Sequence, residues 1–153
     1  MENQINNIIM KQGVIIAVDF DGTIVTHEYP RIGTLIPGAK ETIQCLQENG
    51  YKEFLYTMRS HRLDHGQDHL DEAVRFLYEN NIDLDGTNYS PEQFSDSPKQ
   101  YAHVYIDDSA LGCPLYRFKG SWAANWRIIA NQLYNKHMLT DDQLTYIANH
   151  CSY

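Results

Sequence analysis

The sequence has few cysteines and no long apolar run. Its cysteines number three, an odd count at wide spacing, which argues against a disulfide framework and predicts a reducing, cytoplasmic location. The longest apolar run near the N-terminus, Val14 to Val18, is far below the roughly 20 residues that span a bilayer. These shortages predict a protein without a membrane partner.

Signals for targeting and for repetition are also missing. Residues 1–13 are polar and rich in asparagine. They contain no basic segment followed by an apolar one, so we predict no signal peptide. No internal repeat, low-complexity tract or change of composition marks a linker. A chain of 153 residues with 42% hydrophobic side chains is therefore expected to form one globular domain over residues 1–153.

Basic residues are the other shortage. The chain has 12 lysines and arginines against 20 aspartates and glutamates, for a formal net charge of −8. Such a chain repels polyanions at long range, which disfavours nucleic acid as a partner. The charge is compatible with a small ligand that is recognised locally.

The sequence does contain a regular alternation of strand and helix patterns. A continuous apolar run predicts a strand at residues 14–20 that is buried on both faces, and two further strands are predicted at residues 53–58 and 103–106. Apolar residues spaced by three or four predict four helices, at residues 37–50 and 68–80, along Trp122, Trp126, Ile129 and Leu133, and from Thr140 onward. Strands in this order pair in parallel through right-handed crossovers, which predicts an α/β sheet covered on both faces.

Polar side chains follow each of the three predicted strands. They are Asp19 and Asp21 after the first strand, Thr57 and Arg59 after the second, and Asp107 and Asp108 after the third. Ligands of parallel α/β sheets bind at the carboxyl ends of the strands. We therefore expect these side chains to meet at one edge of the sheet.

The spacing of the first acidic pair suggests a chemistry. Asp19 and Asp21 are two residues apart, so on a strand they point to the same side. A tight turn at Asp21 and Gly22 explains the glycine but not the carboxylates at the third strand end. Two neighbouring carboxyls can divide phosphoryl transfer between them, one as the nucleophile that forms an aspartyl-phosphate and the other as general acid and base.

A count of formal charges predicts a divalent cation at this edge. Ionised Asp19, Asp107 and Asp108 with a phosphate dianion carry five negative charges, and Lys99 and Arg59 return only two positive charges. One Mg²⁺ would reduce the remaining three negative charges to one, and it prefers carboxylate and carbonyl oxygens as ligands. The sequence offers no cysteine and histidine cage for zinc.

Four segments, in order, resemble the motifs of the haloacid-dehalogenase-like (HAD) superfamily of phosphohydrolases. DFDGT (residues 19–23) is similar to motif I, and FLYTMRS (residues 54–60) to motif II. SPK (residues 97–99) has its lysine where motif III has one, and VYIDD (residues 104–108) is similar to motif IV. The segment THEYPRIG, residues 26–33, resembles a branch of small HAD-like proteins that carry YPRIG after motif I. We call residues 26–33 the flap.

This resemblance implies the catalytic roles. Asp19 is implied as the nucleophile and a Mg²⁺ ligand, and Asp21 as the general acid and base that also gives the metal its backbone carbonyl. Thr57 is implied to hydrogen-bond the transferring phosphoryl oxygens. Lys99 is implied to neutralise the nucleophile and the phosphate.

It also implies the remaining metal and substrate contacts. Asp107 ligates Mg²⁺ directly, and Asp108 does so directly or through water. The backbone N–H of Gly22 approaches the phosphate, and Arg59, two residues past Thr57, contacts the substrate phosphate; a surface arginine is the alternative. In the flap, the specificity residues are expected to include His27 and Arg31, together with Glu28 and Tyr29; an ordinary polar loop is the alternative.

The intervals between the motifs leave no room for a cap domain, because each holds about 40 residues that are already assigned to a flap, helices, a strand and loops. We therefore predict an α/β, Rossmann-like three-layer sandwich with a central, mainly parallel sheet and no cap. An open site needs cover or accepts loose specificity. The expected function is a Mg²⁺-dependent phosphomonoester phosphatase acting on a small phosphorylated substrate, with a homo-oligomer supplying cover.

Three alternatives stay open. The first is a non-catalytic phospho-receiver, although its acidic pair would lie after the first strand rather than the last. The second is a degenerate HAD-like protein that only binds phosphate. The third is a polynucleotide or nucleotide phosphatase. His61, His65 and His69 are spaced by four, but Gly66 interrupts a helix there, so we predict a solvated helix entrance and no metal site.

Overall fold

A parallel four-stranded sheet forms the centre of the protein. In a computed structural model of the chain, which describes residues 13–151, the strands are β1 (Ile15–Val18), β2 (Lys52–Leu55), β3 (Gly86–Thr87) and β4 (Val104–Ile106). Their order in the sheet is β3-β2-β1-β4, and every pair is parallel. All four residues of β1 are buried, because a central strand of a covered parallel sheet has no solvent face. The α/β prediction is confirmed.

Four helices follow the predicted pattern with shorter bounds. They are α1 (Ala39–Glu48), α2 (His69–Glu79), α3 (Trp126–Asn135) and α4 (Asp141–His150). Asp68 caps α2 by accepting the N–H of Asp71, and Thr140 with Gln143 forms the capping box expected at α4. The end of α1 is set by Gly50 at a positive φ of 88°, which only glycine adopts without strain.

One sequence prediction about the helices is wrong. Trp122 does not lie on a helix, because residues 115–124 form an antiparallel hairpin of β5 (Leu115–Phe118) and β6 (Ser121–Ala124). Its two turn residues, 119 and 120, both have positive φ, which matches the twist of a two-residue hairpin. The helix α3 begins only after this hairpin, where the side chain of Asn125 accepts the N–H of Ile128. The spacing of four between the two tryptophans is a coincidence of a strand and a helix start.

The helices lie together on one face of the sheet. The side chains of Gln44 and Gln47 on α1 donate to the backbone carbonyls of Asn81 and Asp83 just after α2, and α1 also contacts α3 and α4. Right-handed crossovers place α1 and α2 on the same side. The inward residues of this layer pack on Val18 and alternate residues of the neighbouring strands.

The other face is covered by the segment 88–103, which contains no helix. Tyr105 of β4 lies beside Ala17 on this face and donates its hydroxyl to the carbonyl of Gln100 at 2.5 Å. The side chains of Ser90 and Gln100 are buried here. The fold is therefore a three-layer arrangement of helices, parallel sheet and an irregular cover, in agreement with the predicted Rossmann-like sandwich.

No separate cap interrupts this architecture within the described residues. The interval from Asp19 to Thr57 holds the flap, α1 and β2, and the interval from Thr57 to Lys99 holds α2, β3 and loops. No helix in residues 13–151 has the length and apolar character needed to cross a bilayer. The segment 1–12, on which the signal-peptide prediction falls, lies outside the described residues.

Candidate active site

Three carboxylates converge at the carboxyl ends of the two adjacent strands β1 and β4. Asp19 directly follows β1, and its backbone N–H donates to the carbonyl of Ile106 at 2.9 Å. Asp107 and Asp108 directly follow β4. One carboxylate oxygen from each lies within 4.8 Å of the others. The acidic cluster, as we call these three residues, could hold a single cation through oxygen atoms alone.

The three carboxyls of the acidic cluster disfavour one another's ionised forms. Burial, together with the charges of Asp107 and Asp108, raises the pKa of Asp19 to about 8, against the lowering effect of hydrogen bonds from Phe20 N–H and Thr23. Burial and the charge of Asp107 also raise the pKa of Asp108, although a hydrogen bond with Asp19 opposes this. Like charges in a partly buried site favour a shared proton. A bound divalent cation would remove that need.

Thr23 organises the acidic cluster and was given no role by the sequence analysis. Its hydroxyl donates to Oδ2 of Asp19 at 2.9 Å and accepts the backbone N–H of Asp108 at 3.0 Å. Its own carbonyl accepts the indole N–H of Trp126 at 2.7 Å. Thr23 is fully buried, so it joins the two strand ends rigidly. Its place as the last residue of the DFDGT segment is the feature of the sequence that could have indicated this role.

Gly22 is required by close approach rather than by a free N–H. A Cβ at this position would lie 2.3 Å from Oδ2 of Asp108, and φ is +86°. The N–H of Gly22 donates to the carbonyl of Val25 at 2.7 Å. Its carbonyl accepts the N–H of Ala124 in the hairpin. The predicted contact between this N–H and a phosphate is therefore wrong, because the donor is already used.

Arg59 is a buried partner of Asp21, which corrects its predicted contact with substrate. Its Nε and Nη2 donate to the two carboxylate oxygens of Asp21, each at 2.8 Å. The Arg59 side chain is 1% exposed and that of Asp21 13% exposed. Such a two-point pair fixes the orientation of both the guanidinium plane and the carboxylate plane. Neither the substrate role nor the surface alternative holds for Arg59.

The remaining donors of Arg59 bind the flap and the start of α2. Nη1 donates to the carbonyls of Pro30 at 3.1 Å and His69 at 3.4 Å, and Nη2 also donates to the carbonyl of Arg31 at 2.8 Å. All five N–H groups are therefore used. The guanidinium carbon lies 5.1 Å from the centre of the Tyr29 ring. Asp21, the flap and α2 are thus joined through one side chain.

A cavity of about 520 Å³ opens beside the acidic cluster. Its acidic wall contains Asp19, Asp21, Asp107 and Asp108. Its other walls contain His27, Tyr29, Thr57, Met58, Arg59 and Ser109. The charge of His27 lowers the pKa of Asp108 against the larger effect of burial. The structure therefore brings most of the predicted site residues to one opening.

Two predicted cationic site residues, Lys99 and Arg31, lie outside the cavity lining. The ammonium of Lys99 lies 5.6 Å from the centre of the Tyr105 ring, and Lys99 does not line the cavity. The guanidinium of Arg31 lies 3.6 Å from Glu28, and its side chain is 82% exposed. The backbone carbonyl of Arg31 accepts a hydrogen bond from Arg59. The structure does not bring these two cations to the acidic cluster.

Thr57 is held at the cavity by a residue that the sequence analysis missed. Its N–H donates to Oδ1 of Asn88 at 2.8 Å, and its hydroxyl accepts the N–H of Arg59 at 3.2 Å. Asn88 adopts a positive φ of 52° just after β3. The side chain of Asn88, just after β3, therefore positions the backbone of Thr57, just after β2. No local spacing in the sequence marks this contact.

The three histidines spaced by four do not share one environment. His61 pairs with Asp68 at 2.8 Å and is exposed. His69 is 4% exposed and lies between Glu72 at 3.0 Å and Asp64 at 3.5 Å, so the expected solvated entrance is wrong for this residue. Hydrogen bonding to Glu72 raises the pKa of His69. Its ring also meets the Tyr29 ring edge-on.

The fold and this carboxylate edge define an α/β protein with an acidic site at the ends of parallel strands. No protein-family model matches the chain, and no curated protein matches it. A solved structure, described as that of a conserved protein coded by a locus from Bacteroides thetaiotaomicron, is similar with 35% sequence identity and a TM-score of 0.63. The match covers 80% of this chain and 90% of that one. The chain belongs to the same family as this Bacteroides protein.

Proposed function

We propose that the protein is a Mg²⁺-dependent phosphomonoester phosphatase of the HAD type. The observation that carries the proposal is the acidic cluster, in which a half-buried carboxylate at the end of β1 faces two carboxylates from β4 within 4.8 Å. Its all-oxygen donor set fits a hard cation. The raised pKa of Asp19 fits a site whose charge balance needs that cation.

Asp19, Asp107 and Asp108 would hold the metal, with the backbone carbonyl of Asp21 as a further oxygen. When bound, Mg²⁺ would supply positive charge that offsets these carboxylates and the phosphate oxygens. Thr23 keeps an oxygen of Asp19 oriented through its 2.9 Å hydrogen bond. Nucleophilic attack and proton transfer are assigned to side chains of the protein.

The proposed reaction has two displacements. An oxygen of Asp19 forms a bond to phosphorus while the bond from phosphorus to the ester oxygen breaks, and the released alkoxide takes a proton to leave as an alcohol. Water then attacks the aspartyl-phosphate, the bond between Asp19 and phosphorus breaks, and phosphate leaves. The proton that water loses replaces the one given to the alcohol, so the net change is hydrolysis of one ester bond.

Asp21 is the proposed carrier of that proton. Its carboxylate oxygens each retain a second lone pair after accepting one hydrogen bond from Arg59. Arg59 holds the carboxylate plane at the cavity wall, so the proton moves to and from a fixed position. Thr57, which also lines the cavity, is the proposed hydrogen-bond partner of the phosphoryl oxygens.

The test is an assay of para-nitrophenyl phosphate and a panel of phosphometabolites. Wild type and the exposed control Asp83→Asn are expected to release phosphate with Mg²⁺ and to stop when EDTA removes it. Asp19→Asn is expected to be inactive under both conditions. Absence of metal-dependent turnover on every substrate would rule out the phosphatase proposal.

A second candidate is a family member that binds phosphate without turning it over. It is favoured by the position of Lys99 above Tyr105 and by the two-point ion pair of Asp21 with Arg59, which disfavours the protonated form of Asp21. In that case phosphate binding would need Mg²⁺ and the intact acidic cluster, but no substrate would be hydrolysed. Calorimetry with inorganic phosphate separates this outcome from the first.

Location and assembly stay predictions. Cys45, Cys113 and Cys151 form no disulfide among the described residues, which is compatible with the proposed cytoplasmic location. A second subunit over the open cavity remains a proposal for its cover. If light scattering shows a monomer and assays show that this monomer is sharply selective among substrates, that cover is not needed.

A further inference from the structure

Arg31, Arg59 and Lys99, the basic residues of the flap and of the candidate motifs, have side chains that are engaged by other groups of the protein. Among the described residues that line the cavity, Arg59 is the only lysine or arginine. Its five donors are spent on Asp21 and on three backbone carbonyls. Arg31 pairs with Glu28 outside the cavity, and Lys99 rests on Tyr105. The cavity therefore offers substrate one imidazole, that of His27, and no free guanidinium or ammonium.

The charge of the loaded site follows from this inventory. Asp21 and Arg59 cancel one another, and Mg²⁺ would cancel two of the three charges of the acidic cluster. A phosphate dianion then brings the loaded site to three negative charges, with only His27 as a further cationic group on the wall. Another anionic group on the leaving alcohol would add repulsion in a partly desolvated space. A positive group would reduce it.

Tyr29 and Met58 give the cavity wall an aromatic and an apolar surface beside its polar residues. Tyr29 is 52% exposed, and Met58 is 98% exposed. The Tyr29 ring is fixed by the Arg59 guanidinium at 5.1 Å and by the edge of His69 at 5.5 Å. A thioether beside a fixed ring forms an adaptable apolar contact.

We infer that the substrate is a phosphomonoester whose leaving group carries an amine or no charge and presents an apolar face, and that carboxylated phosphomonoesters and bisphosphates are poor substrates. This inference rests on the proposed phosphatase function and names its substrate class. The uncompensated carboxylate wall disfavours additional negative charge. Tyr29 and Met58 supply the apolar contact.

A matched substrate series tests the inference. Benzyl phosphates with a para-aminomethyl, para-methyl or para-carboxyl group share an aromatic face and differ chiefly in charge. At low salt with Mg²⁺, kcat/KM is expected to fall in that order, with the carboxylated ester about tenfold below the methyl ester. The difference should shrink as the salt concentration rises, because added ions screen the repulsion.

A matched pair of variants locates the effect. Met58→Lys adds a cation at an exposed cavity position and is expected to raise kcat/KM for the carboxylated ester severalfold relative to the methyl ester. Tyr78→Lys adds the same charge at an exposed position on α2 that lines a different groove, and it should leave the ratio unchanged.

The outcomes separate the two proposals. Equal or better turnover of the carboxylated ester would overturn the substrate inference and leave the phosphatase function standing. An unchanged ratio in Met58→Lys would also contradict the inference. If none of the three esters is hydrolysed but other phosphomonoesters are, the inferred class is wrong. If no phosphomonoester is hydrolysed, the proposed function fails, and this inference fails with it.

Discussion

Asp19 and Asp21 leave the same strand two residues apart and meet opposite surroundings. Asp19 lies among carboxylates, and burial with Asp107 and Asp108 raises its pKa to about 8. Asp21 is held by a buried guanidinium through two bonds of 2.8 Å. Asp19 therefore lacks a counter-charge among residues 13–151, whereas Asp21 has one in Arg59, whose donors are all used. Two aspartates at one strand end can thus be suited to different chemical roles by the charged groups around them.

The largest expected contrast is between activity and stability at Asp19. Asp19→Asn removes the nucleophile and should lower kcat by about 10⁴-fold or more. The same change should raise the free energy of unfolding without metal by on the order of 2–4 kcal/mol at neutral pH, because the folded pKa lies far above the unfolded value of 3.8. Urea denaturation beside steady-state assays measures both. A variant that is both less active and less stable would break the comparison.

Asp21→Asn should have the opposite effect on stability. It leaves the buried Arg59 guanidinium without its carboxylate, which should cost about 3–5 kcal/mol of unfolding free energy. Turnover should fall by about 10²–10⁴-fold with substrate binding retained. The matched control is Asp71→Asn, which breaks the exposed pair with Arg75 and should cost under about 1 kcal/mol. Unchanged turnover in Asp21→Asn would show that Asp21 does not carry the proton.

Mg²⁺ should stabilise the folded protein through Asp19 and the rest of the acidic cluster, and Asp21 should contribute no carboxylate to this effect. Mg²⁺ at a hundredfold excess over its Kd should stabilise the folded protein by about 2.7 kcal/mol. Asp107→Asn should lose this stabilisation, whereas the exposed variant Asp83→Asn should keep it. Thermal denaturation with Mg²⁺ and with EDTA gives the difference. Equal stabilisation of Asp107→Asn and wild type would place the cation elsewhere.

The smallest expected effect concerns Glu53, a buried carboxyl without a cation partner. Neither of its carboxylate oxygens has a hydrogen-bond partner among the described residues, and burial, with the charge of Asp85, raises its pKa well above the usual 4.5. Stability from the neutral form is complete below the unfolded pKa and is lost as pH rises toward the folded pKa. Between pH 4.5 and pH 5.5, Glu53→Gln should therefore gain on wild type by up to about 1.4 kcal/mol. The exposed variant Glu79→Gln is the control. If the difference in unfolding free energy between Glu53→Gln and wild type does not widen with pH relative to this control, the raised pKa of Glu53 is contradicted.

The sheet and the acidic edge could be predicted because both depend on local signals. Apolar runs that end in aspartates specify buried parallel strands with carboxylates at one edge, and Asp19, Asp107 and Asp108 meet as expected. The hairpin was missed because its turn, Lys119 and Gly120, lacks the asparagine or aspartate that usually marks such turns.

The partners of Arg59 could not be predicted from spacing. Its donors reach the flap, the start of α2 and Asp21, which come together only in the folded chain. The same holds for Asn88 at Thr57. The charge count made from sequence assigned Arg59 and Lys99 to the phosphate, whereas the structure commits them to Asp21 and Tyr105.

The most direct test of the account is to trap the covalent intermediate. Wild type mixed with Mg²⁺ and a hydrolysed phosphomonoester should be quenched in acid within one turnover and mapped by peptide mass spectrometry. The account predicts one added phosphoryl group on Asp19, with more of it in Asp21→Asn if loss of the proton carrier slows its hydrolysis. Turnover of the substrate with Asp19 unmodified, or a phosphoryl group on another residue, would contradict it.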